Sequence, residues 1–224
     1  MEKKYDFTII GGGLYGCYLS LILEKKGFKV VLVEKEIDLL NRSSTNNQLR
    51  IHNGYHYPRS LSTSLNSNIY FKKFIEEFND CVNVNFDNIY LVSKNQSLTN
   101  SKQFEFFCKN SNIYLKKKKF DFINYREIES SYITEEYVYD PFLLKKRIKK
   151  QIKNSKIDVL TDCKINFVEE KENYVINTNK VSLESKSIIN SSYSGINEVN
   201  RIFKFQEIDL KHELCEIIIC QLEP

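Results

Sequence analysis

The feature that most constrains this chain is Gly11-Gly12-Gly13-Leu14-Tyr15-Gly16, a G-x-G-x-x-G spacing set between an apolar run and an amphipathic one. Four of the 7 glycines fall here, so the cluster carries information that scattered glycines would not. Tyr5–Ile10 is short, apolar and rich in β-branched residues, which reads as a parallel strand buried on both faces. From Leu14 to Lys26 the apolar residues fall at 14, 18, 19, 21, 22 and 23, and Gly27 follows as a stop signal. That pattern predicts a helix lying on a sheet. Lys29–Val33 predicts a second buried strand. Strand, helix and strand within about 30 residues make a βαβ unit, whose crossover is right-handed.

In such a unit each glycine of the motif has its own task. Gly11 permits the tight turn, Gly13 lets the backbone approach a pyrophosphate, and Gly16 lets the helix pack closely on the strand. The diphosphate would lie against the unpaired N–H groups that open the helix at Leu14 and Tyr15, at the positive end of its dipole. Ser20 adds another small residue, and Leu23 is expected to face the sheet. Glu34 closes the second strand. A carboxylate there accepts hydrogen bonds from both ribose hydroxyls of an adenosine and repels a 2′-phosphate, which argues against NADP. The alternative is a glycine-rich turn with an incidental surface glutamate, and the motif alone does not separate FAD from NAD.

Composition sets the outer bounds. With 42% hydrophobic and 28% charged residues, a chain of 224 can bury a substantial core in one large domain or two small ones. A net charge of +4 leaves most charges as interspersed pairs on solvated faces. Lys116–Lys119 is the one dense basic run, and it reads as a solvated strand or loop end rather than a phosphate or nucleic-acid patch. The 6 cysteines form no C-x-x-C pair, so reduced buried thiols in a cytoplasmic protein are expected, with no metal site. The start moves from charge directly into the first strand, so no leader is expected, and no apolar run reaches the ~18 residues of a membrane span.

Beyond the βαβ unit, Asp38–Asn47 reads as a polar loop and Gln48–His52 as a short stretch leading into the next elements. Ser60–Phe78 predicts a helix with Leu61, Leu65, Ile69, Phe74 and Phe78 near one side. Val82–Ser93 predicts a strand or hairpin, Lys102–Lys109 a helix, and Ile113–Phe122 an extended segment. Asp140 followed by Pro141 is a helix start, with Asp as N-cap and Pro at the first position. Ile157–Leu160, Cys163–Glu169, Tyr174–Asn177 and Lys186–Asn190 read as strands. Glu216–Cys220 is a strand-like apolar run that ends the chain without a partner, which predicts truncation.

Ser43-Ser44-Thr45-Asn46-Asn47 and His52-Asn53-Gly54-Tyr55-His56-Tyr57-Pro58 follow the second strand closely. Here the chain resembles the D-amino-acid oxidase-like (DAO) superfamily of FAD-dependent oxidoreductases. Its local likeness is greatest to members of the L-2-hydroxyglutarate oxidase and glycine oxidase types, through Ser44, Asn47, His52, Gly54 and Tyr57. Val138–Leu144 looks like the family's V-D-P-x-x-L helix, and Ile188–Gly195 like a strand and turn usually written V-V-N-A-x-G. Ser191, Ser192 and the bulky Tyr193 depart from that last pattern. Family members usually run much longer, which implies a C-terminally truncated member.

The resemblance implies an α/β fold: a Rossmann-like FAD-binding domain, with a parallel sheet plus β-meander, interrupted by an α+β substrate region. Residues 1–58 and 140–200 would form the FAD-binding domain, 59–139 the insertion, and 201–224 the start of a truncated strand region. It implies FAD held by Gly11, Gly13, Leu14, Tyr15, Gly16, Glu34, Lys35, Ser43, Ser44, Asn47 and His52. The reaction implied is oxidation of a C–N or C–O bond in a small anionic substrate, an amino acid or 2-hydroxy acid. His52 and His56 are candidate bases, and His52 is also a candidate core histidine or covalent flavin site. Arg50 and Arg59 could anchor a carboxylate or form surface ion pairs; Tyr55 and Tyr57 could line the pocket or simply pack. Two rival readings remain, an NAD-dependent dehydrogenase and a catalytically silent nucleotide-binding module. The first requires regular βα alternation after residue 60.

Overall fold

The computed structural model of the chain describes residues 3–212. In chain order the elements are β1 (Lys3–Ile10), α1 (Leu14–Lys25), β2 (Val30–Val33), β3 (Arg50–Ile51), α2 (Leu61–Phe78), β4 (Val82–Asn83), β5 (Asn88–Ser93), α3 (Ser101–Asn110) and β6 (Leu115–Lys117). There follow β7 (Ile128–Thr134), β8 (Tyr137–Tyr139), α4 (Pro141–Lys153), β9 (Asp158–Leu160), β10 (Ile165–Glu170), β11 (Tyr174–Thr178), β12 (Ser182–Asn190) and α5 (Ile196–Ile202). They fall into two compact units. One is built from the residues up to Gln48 together with those from Lys145 onward, the other from Leu49–Leu144.

The first unit is organised by a six-stranded sheet in the order β10-β11-β12-β1-β2-β9. Strands β12, β1, β2 and β9 run parallel, while β11 and β10 form an antiparallel meander on one side. Every residue of β2, Val-Val-Leu-Val, is buried. The two-residue pleat sends Val31 and Val33 into a core with Tyr5, Cys163, Ile176 and Leu183, and turns Val30 and Leu32 to the other face. A continuous apolar strand of this kind belongs in a sheet covered on both sides. Helix α1 buries Gly16, Cys17, Ser20 and Leu21; the Ser20 hydroxyl donates to the Gly16 carbonyl at 2.7 Å, so its burial leaves no orphaned polar group. The helix ends where Gly27 N–H donates to Glu24 O at 2.8 Å and Phe28 N–H to Leu23 O at 3.2 Å.

The second unit holds two three-stranded antiparallel sheets, β3-β8-β4 and β5-β7-β6. Helix α3 opens with a capping box between Asn100 and Gln103. Its Phe104, Phe107 and Cys108 join Tyr55, Val92, Ile113 and Tyr132 in one buried cluster, with Phe104 stacked on Tyr90 at 4.9 Å. Tyr55 is fully buried, donating its hydroxyl to the Tyr114 carbonyl and accepting from Glu135 N–H at 3.1 Å. It is a packing residue. This unit also corrects the first rival reading, because its strands pair antiparallel and no regular βα alternation follows residue 60 among the described residues.

Several expectations for the second unit change. Val82–Ser93 is neither one strand nor a hairpin, since β4 pairs with β8 and β5 with β7 in different sheets. Only Leu115–Lys117 of the expected 113–122 extension is strand, as the chain turns after Phe120. Strands β7 and β8 were not anticipated. In α2, Leu61, Leu65 and Ile69 are exposed, and the buried residues are Ser64, Phe71 and Phe78. Each i+4 step rotates about 40° around a helix, so 61, 65 and 69 drift off the face that the seven-residue spacing of 64, 71 and 78 keeps.

The Lys116–Lys119 run is solvated as expected. Lys117 pairs with Glu105 at 2.9 Å, and Lys118 and Lys119 lie over Phe120 and Tyr125. Cys17, Cys81, Cys108 and Cys163 are buried and in no disulfide among the described residues; Cys215, Cys220 and the 216–220 run lie outside the described residues. No described helix is long and apolar enough to cross a membrane.

Candidate functional site

In the first unit the glycine turn sits where β1, β2 and β12 end side by side. Gly11 donates to Val33 O at 2.8 Å, and Ser191 N–H donates to Ile10 O at 2.8 Å. Gly11 has φ +105°, and a Cβ there would lie 2.7 Å from the Ser191 carbonyl oxygen. Only glycine meets both demands. A Cβ on Gly16 would stand 1.9 Å from the Gly11 carbonyl oxygen, so α1 can lie this close to the turn only without a side chain. At Ser191 and Ser192, departures from the family pattern, it is backbone that faces Gly11, so this contact does not depend on their side chains.

Glu34 turns its carboxylate into this loop. Oε2 accepts from Gly12 N–H at 2.5 Å and Oε1 from Glu36 N–H at 2.8 Å. An ionised carboxylate has about four acceptor sites, so each oxygen keeps a lone pair for a further hydroxyl. Gly13 is the N-cap of α1 with no side-chain cap bond. A Cβ there would meet only the Ser44 hydroxyl, at 3.4 Å, which leaves the approach to the helix N-terminus open. Ser44 Oγ accepts from Leu14 N–H at 2.9 Å. Helix amides without intrahelical partners, a rigid glycine turn and a carboxylate fixed at the end of the second strand are the chemistry a dinucleotide requires. The residues present fit that group.

The remaining expected cofactor contacts in this unit surround the same loop or its edges. Tyr15 is 85% exposed at the start of α1. Lys35 pairs with Glu198 at 2.9 Å. The Ser43 carbonyl accepts from the Asn47 side-chain amide at 2.6 Å. Cys17, beneath the turn, has its thiol pushed up to about 12 by burial first and then by Glu34, so it is an inert packing group.

In the second unit a different cluster forms. Strand β3 pairs with β8, so Arg50 lies opposite Val138 and Ile51 opposite Tyr137. Residues 50–53 thereby face the buried Glu136, which the sequence reading passed over. Arg50 Nη2 donates to Glu136 Oε2 at 2.6 Å, and Asn53 N–H donates to Oε1 at 3.0 Å. His52 Nδ1 lies 3.6 Å from Oε1. The His52 and His56 rings meet edge to face at 4.9 Å, and His56 Nδ1 lies 3.4 Å from the Tyr90 hydroxyl.

Burial pushes the Glu136 carboxyl up, but the His52 imidazole, the Arg50 guanidinium and the Asn53 amide together hold it below the usual carboxylate range. His56 keeps solvent-exposed surface, yet packing around its ring desolvates it. That effect comes first, and Arg50 and His52 add to it against the pull of Glu136, so its pKa is lowered. Donor atoms of His52, His56 and Glu136 lie within 4.8 Å of one another. Because the Arg50 cation already sits on the shared carboxylate, the arrangement suits proton traffic better than a metal ion.

Arg50 is therefore engaged internally. Arg59 is exposed and makes no ion pair among the described residues. It lies in the wall of a cavity of about 520 Å³ together with Leu61, Leu98, Gln103, Phe106 and Phe107. Tyr57 is 37% exposed.

Comparison with known proteins agrees with this geometry. The family model "DAO: FAD dependent oxidoreductase" matches residues 6–197. The FAD-dependent monooxygenase FPY4 of Fusarium mangiferae is 40% identical over 96 residues, 43% of this chain and 26% of that protein. The mitochondrial L-2-hydroxyglutarate dehydrogenase of Caenorhabditis briggsae is 45% identical over 65 residues, 28% of this chain and 15% of that protein. The crystal structure of glycine oxidase from Geobacillus kaustophilus superposes with a TM-score of 0.73 at 12% identity, covering 90% of this chain and 59% of that one. The last likeness shows the fold. In each case the chain spans less than two thirds of the other protein's length.

Proposed function

The chain belongs to the DAO family of FAD-dependent oxidoreductases, and from that premise we propose that it oxidises the C–N or C–O bond of a small anionic substrate of the amino-acid or 2-hydroxy-acid type. The observation that carries the reading is the family match over residues 6–197, joined to a glycine turn closed by the Glu34 carboxylate. One relative, 45% identical over 65 residues, is named for a hydroxy acid, a small carboxylate. FAD is the chain's cofactor. When bound it supplies the two-electron acceptor.

The chain's own residues have the following parts. Gly11, Gly13 and Gly16, with the amides of Leu14 and Tyr15, hold the diphosphate. Glu34 holds the adenosine ribose, and Lys35, Ser43, Ser44 and Asn47 complete the loop around it. His52 is the group assigned to take the proton from the substrate hydroxyl or amine as the Cα–H bond is cleaved, with His56, its pKa lowered, packed edge to face against it. A carboxylate on the substrate would be anchored by Arg59 more readily than by Arg50, whose guanidinium is spent on Glu136, with Tyr57 beside it. In domain terms, residues 1–58 and 140–200 serve FAD and 59–139 serve the substrate.

The test is anaerobic. The purified chain is titrated with FAD, and 2-hydroxy acids and amino acids are added in turn while the bound flavin's visible absorbance is followed. Bleaching by at least one carboxylate substrate, and not by its amide, is the expected result. Failure to bind FAD, or a bound flavin that no member of the panel reduces, overturns the reading.

A further inference from the structure

Glu136 lies between β7 and β8 with 1% of its surface exposed, and its carboxylate is fixed from several sides. Arg50 and the Asn53 amide hold the two oxygens. Asn53 is itself locked, donating to the Glu135 carbonyl at 2.9 Å and accepting from the Asn68 side chain at 2.6 Å. An ion pair buried this deeply is weak evidence for stability, because desolvation offsets most of its attraction. Its geometry does have a chemical consequence. Oε1 faces His52 Nδ1, and that nitrogen is buried with no hydrogen bond of its own. Two acceptors turned towards one another repel, so the neutral ring is more stable with its proton on Nδ1.

We propose that Glu136 is a positioning residue that sets the tautomer of His52, keeping the proton on Nδ1 and leaving Nε2 as the free acceptor. This rests on the reading of His52 as the group that takes the substrate proton. In that step the Cα–H bond breaks, and bound FAD would supply the acceptor for the hydrogen and its electron pair. The O–H or N–H bond breaks, its electrons form the C=O or C=N bond, and its proton goes to Nε2. The imidazolium so formed is stabilised by the Glu136 carboxylate across the ring. Among the described residues the charged and titratable groups around His52 are Arg50 on β3, Glu136 between β7 and β8, His56 beyond the turn at Gly54, and Tyr90 of β5 against His56. Arg50 engages Oε2, and Oε1 keeps acceptor lone pairs on the side of His52, which is why a proton on Nδ1 is still favoured there.

The experiment uses the FAD-loaded full chain labelled with ¹⁵N in histidine. Two-bond ¹H–¹⁵N spectra at about pH 8.5, above the usual imidazole range, read the tautomer directly. The His52 signals are assigned by their loss in His52→Gln. A neutral His52 protonated on Nδ1 is expected, moving towards Nε2 protonation in Glu136→Gln. With it, kcat should fall on the order of 10²-fold while KM and FAD affinity stay within about twofold, and Glu136→Asp should recover part of the loss. Wild-type protein protonated on Nε2, or a tautomer unmoved in Glu136→Gln, overturns the proposal. Should Glu136→Gln fail to fold, Arg50→Met/Glu136→Gln removes the stranded guanidinium and carries the same readout. A His52→Gln enzyme that keeps its kcat would sink the proton-acceptor reading instead, and the spectra would still report on the tautomer.

Discussion

Gly16→Ala tests the glycine turn most directly. A Cβ there must retreat from 1.9 Å to an ordinary contact of 3.4 Å or more from the Gly11 carbonyl oxygen, a separation of about 1.5 Å. The opposing atom is backbone, and Gly11 is fixed by its bond to Val33 and by Ser191, so α1 must move and not the turn. Overpacking of this kind costs typically 1–3 kcal/mol, and a rigid partner places it near the upper end. Alanine recovers about 0.5–1 kcal/mol of helix propensity, which leaves a net loss of about 2 kcal/mol. At about 2–4 °C per kcal/mol for a chain of this size, Tm should fall by about 4–8 °C. Gly13→Ala is the control. Its Cβ meets only the Ser44 hydroxyl at 3.4 Å, so apo stability should hardly change. The methyl would nonetheless stand in the approach to the helix N-terminus and weaken FAD binding by roughly 10-fold or more. Thermal unfolding of the apo chain and flavin fluorescence titration separate the two effects. A Gly16→Ala protein as stable as wild type, or a Gly13→Ala protein with undiminished FAD affinity, would refute the reasoning.

Two further predictions concern the second unit and α4. The folded-state pKa of His56 is lowered by desolvation, so between that value and the usual ~6.5 the unfolded chain binds the extra proton; stability should rise with pH through this window, and be lost as pH falls through it. Glu136, also lowered, contributes in the same direction but only below about pH 4.3, so a Tm that climbs from pH 5 to 7 in wild type and flattens in His56→Gln isolates the histidine. A slope that persists in the variant would count against the assignment. Asp140 Oδ1 accepts from Phe142 and Leu143 N–H at 2.8 and 2.9 Å, so Asp140→Ala should cost about 1 kcal/mol in denaturant unfolding. Asp140→Asn should cost little, and a large loss in turnover without loss of stability would show that the aspartate is more than a cap.

The first unit was legible because its instructions are local. A buried strand, three spaced glycines, an amphipathic helix and a second buried strand lie within the first 33 residues, and each is recognisable from its own period. The Asp140-Pro141 helix start was legible for the same reason. Strand β7 was not. It reads Ile-Glu-Ser-Ser-Tyr-Ile-Thr, and Ser130, Ser131, Tyr132 and Thr134 are buried. Those hydroxyls are satisfied by partners distant in sequence, Ser131 by the Lys118 carbonyl and Thr134 by the Asn88 side chain at 3.1 Å. A search for apolar alternation is blind to a strand whose buried residues, Tyr132 among them, all carry hydroxyls.

Glu136 was hidden by the same non-locality. Thr134-Glu135-Glu136-Tyr137 has the look of a solvated acidic turn, and one of the two glutamates is indeed mostly at the surface. What distinguishes the other is a partner 86 positions away, reached only because β3 and β8 pair. One signal was present. Arg50 and His52 are two basic groups separated by the single apolar residue Ile51, and a guanidinium drawn partly out of water calls for an acid. The chain has 29 acidic residues, and nothing in their order says which one answers. Nucleotide binding here depends on backbone shape, which glycine spacing encodes within one βαβ unit. Proton transfer depends on the mutual orientation of side chains drawn from separate strands, so the histidines could be nominated from sequence, while the carboxylate proposed to orient one of them required the fold.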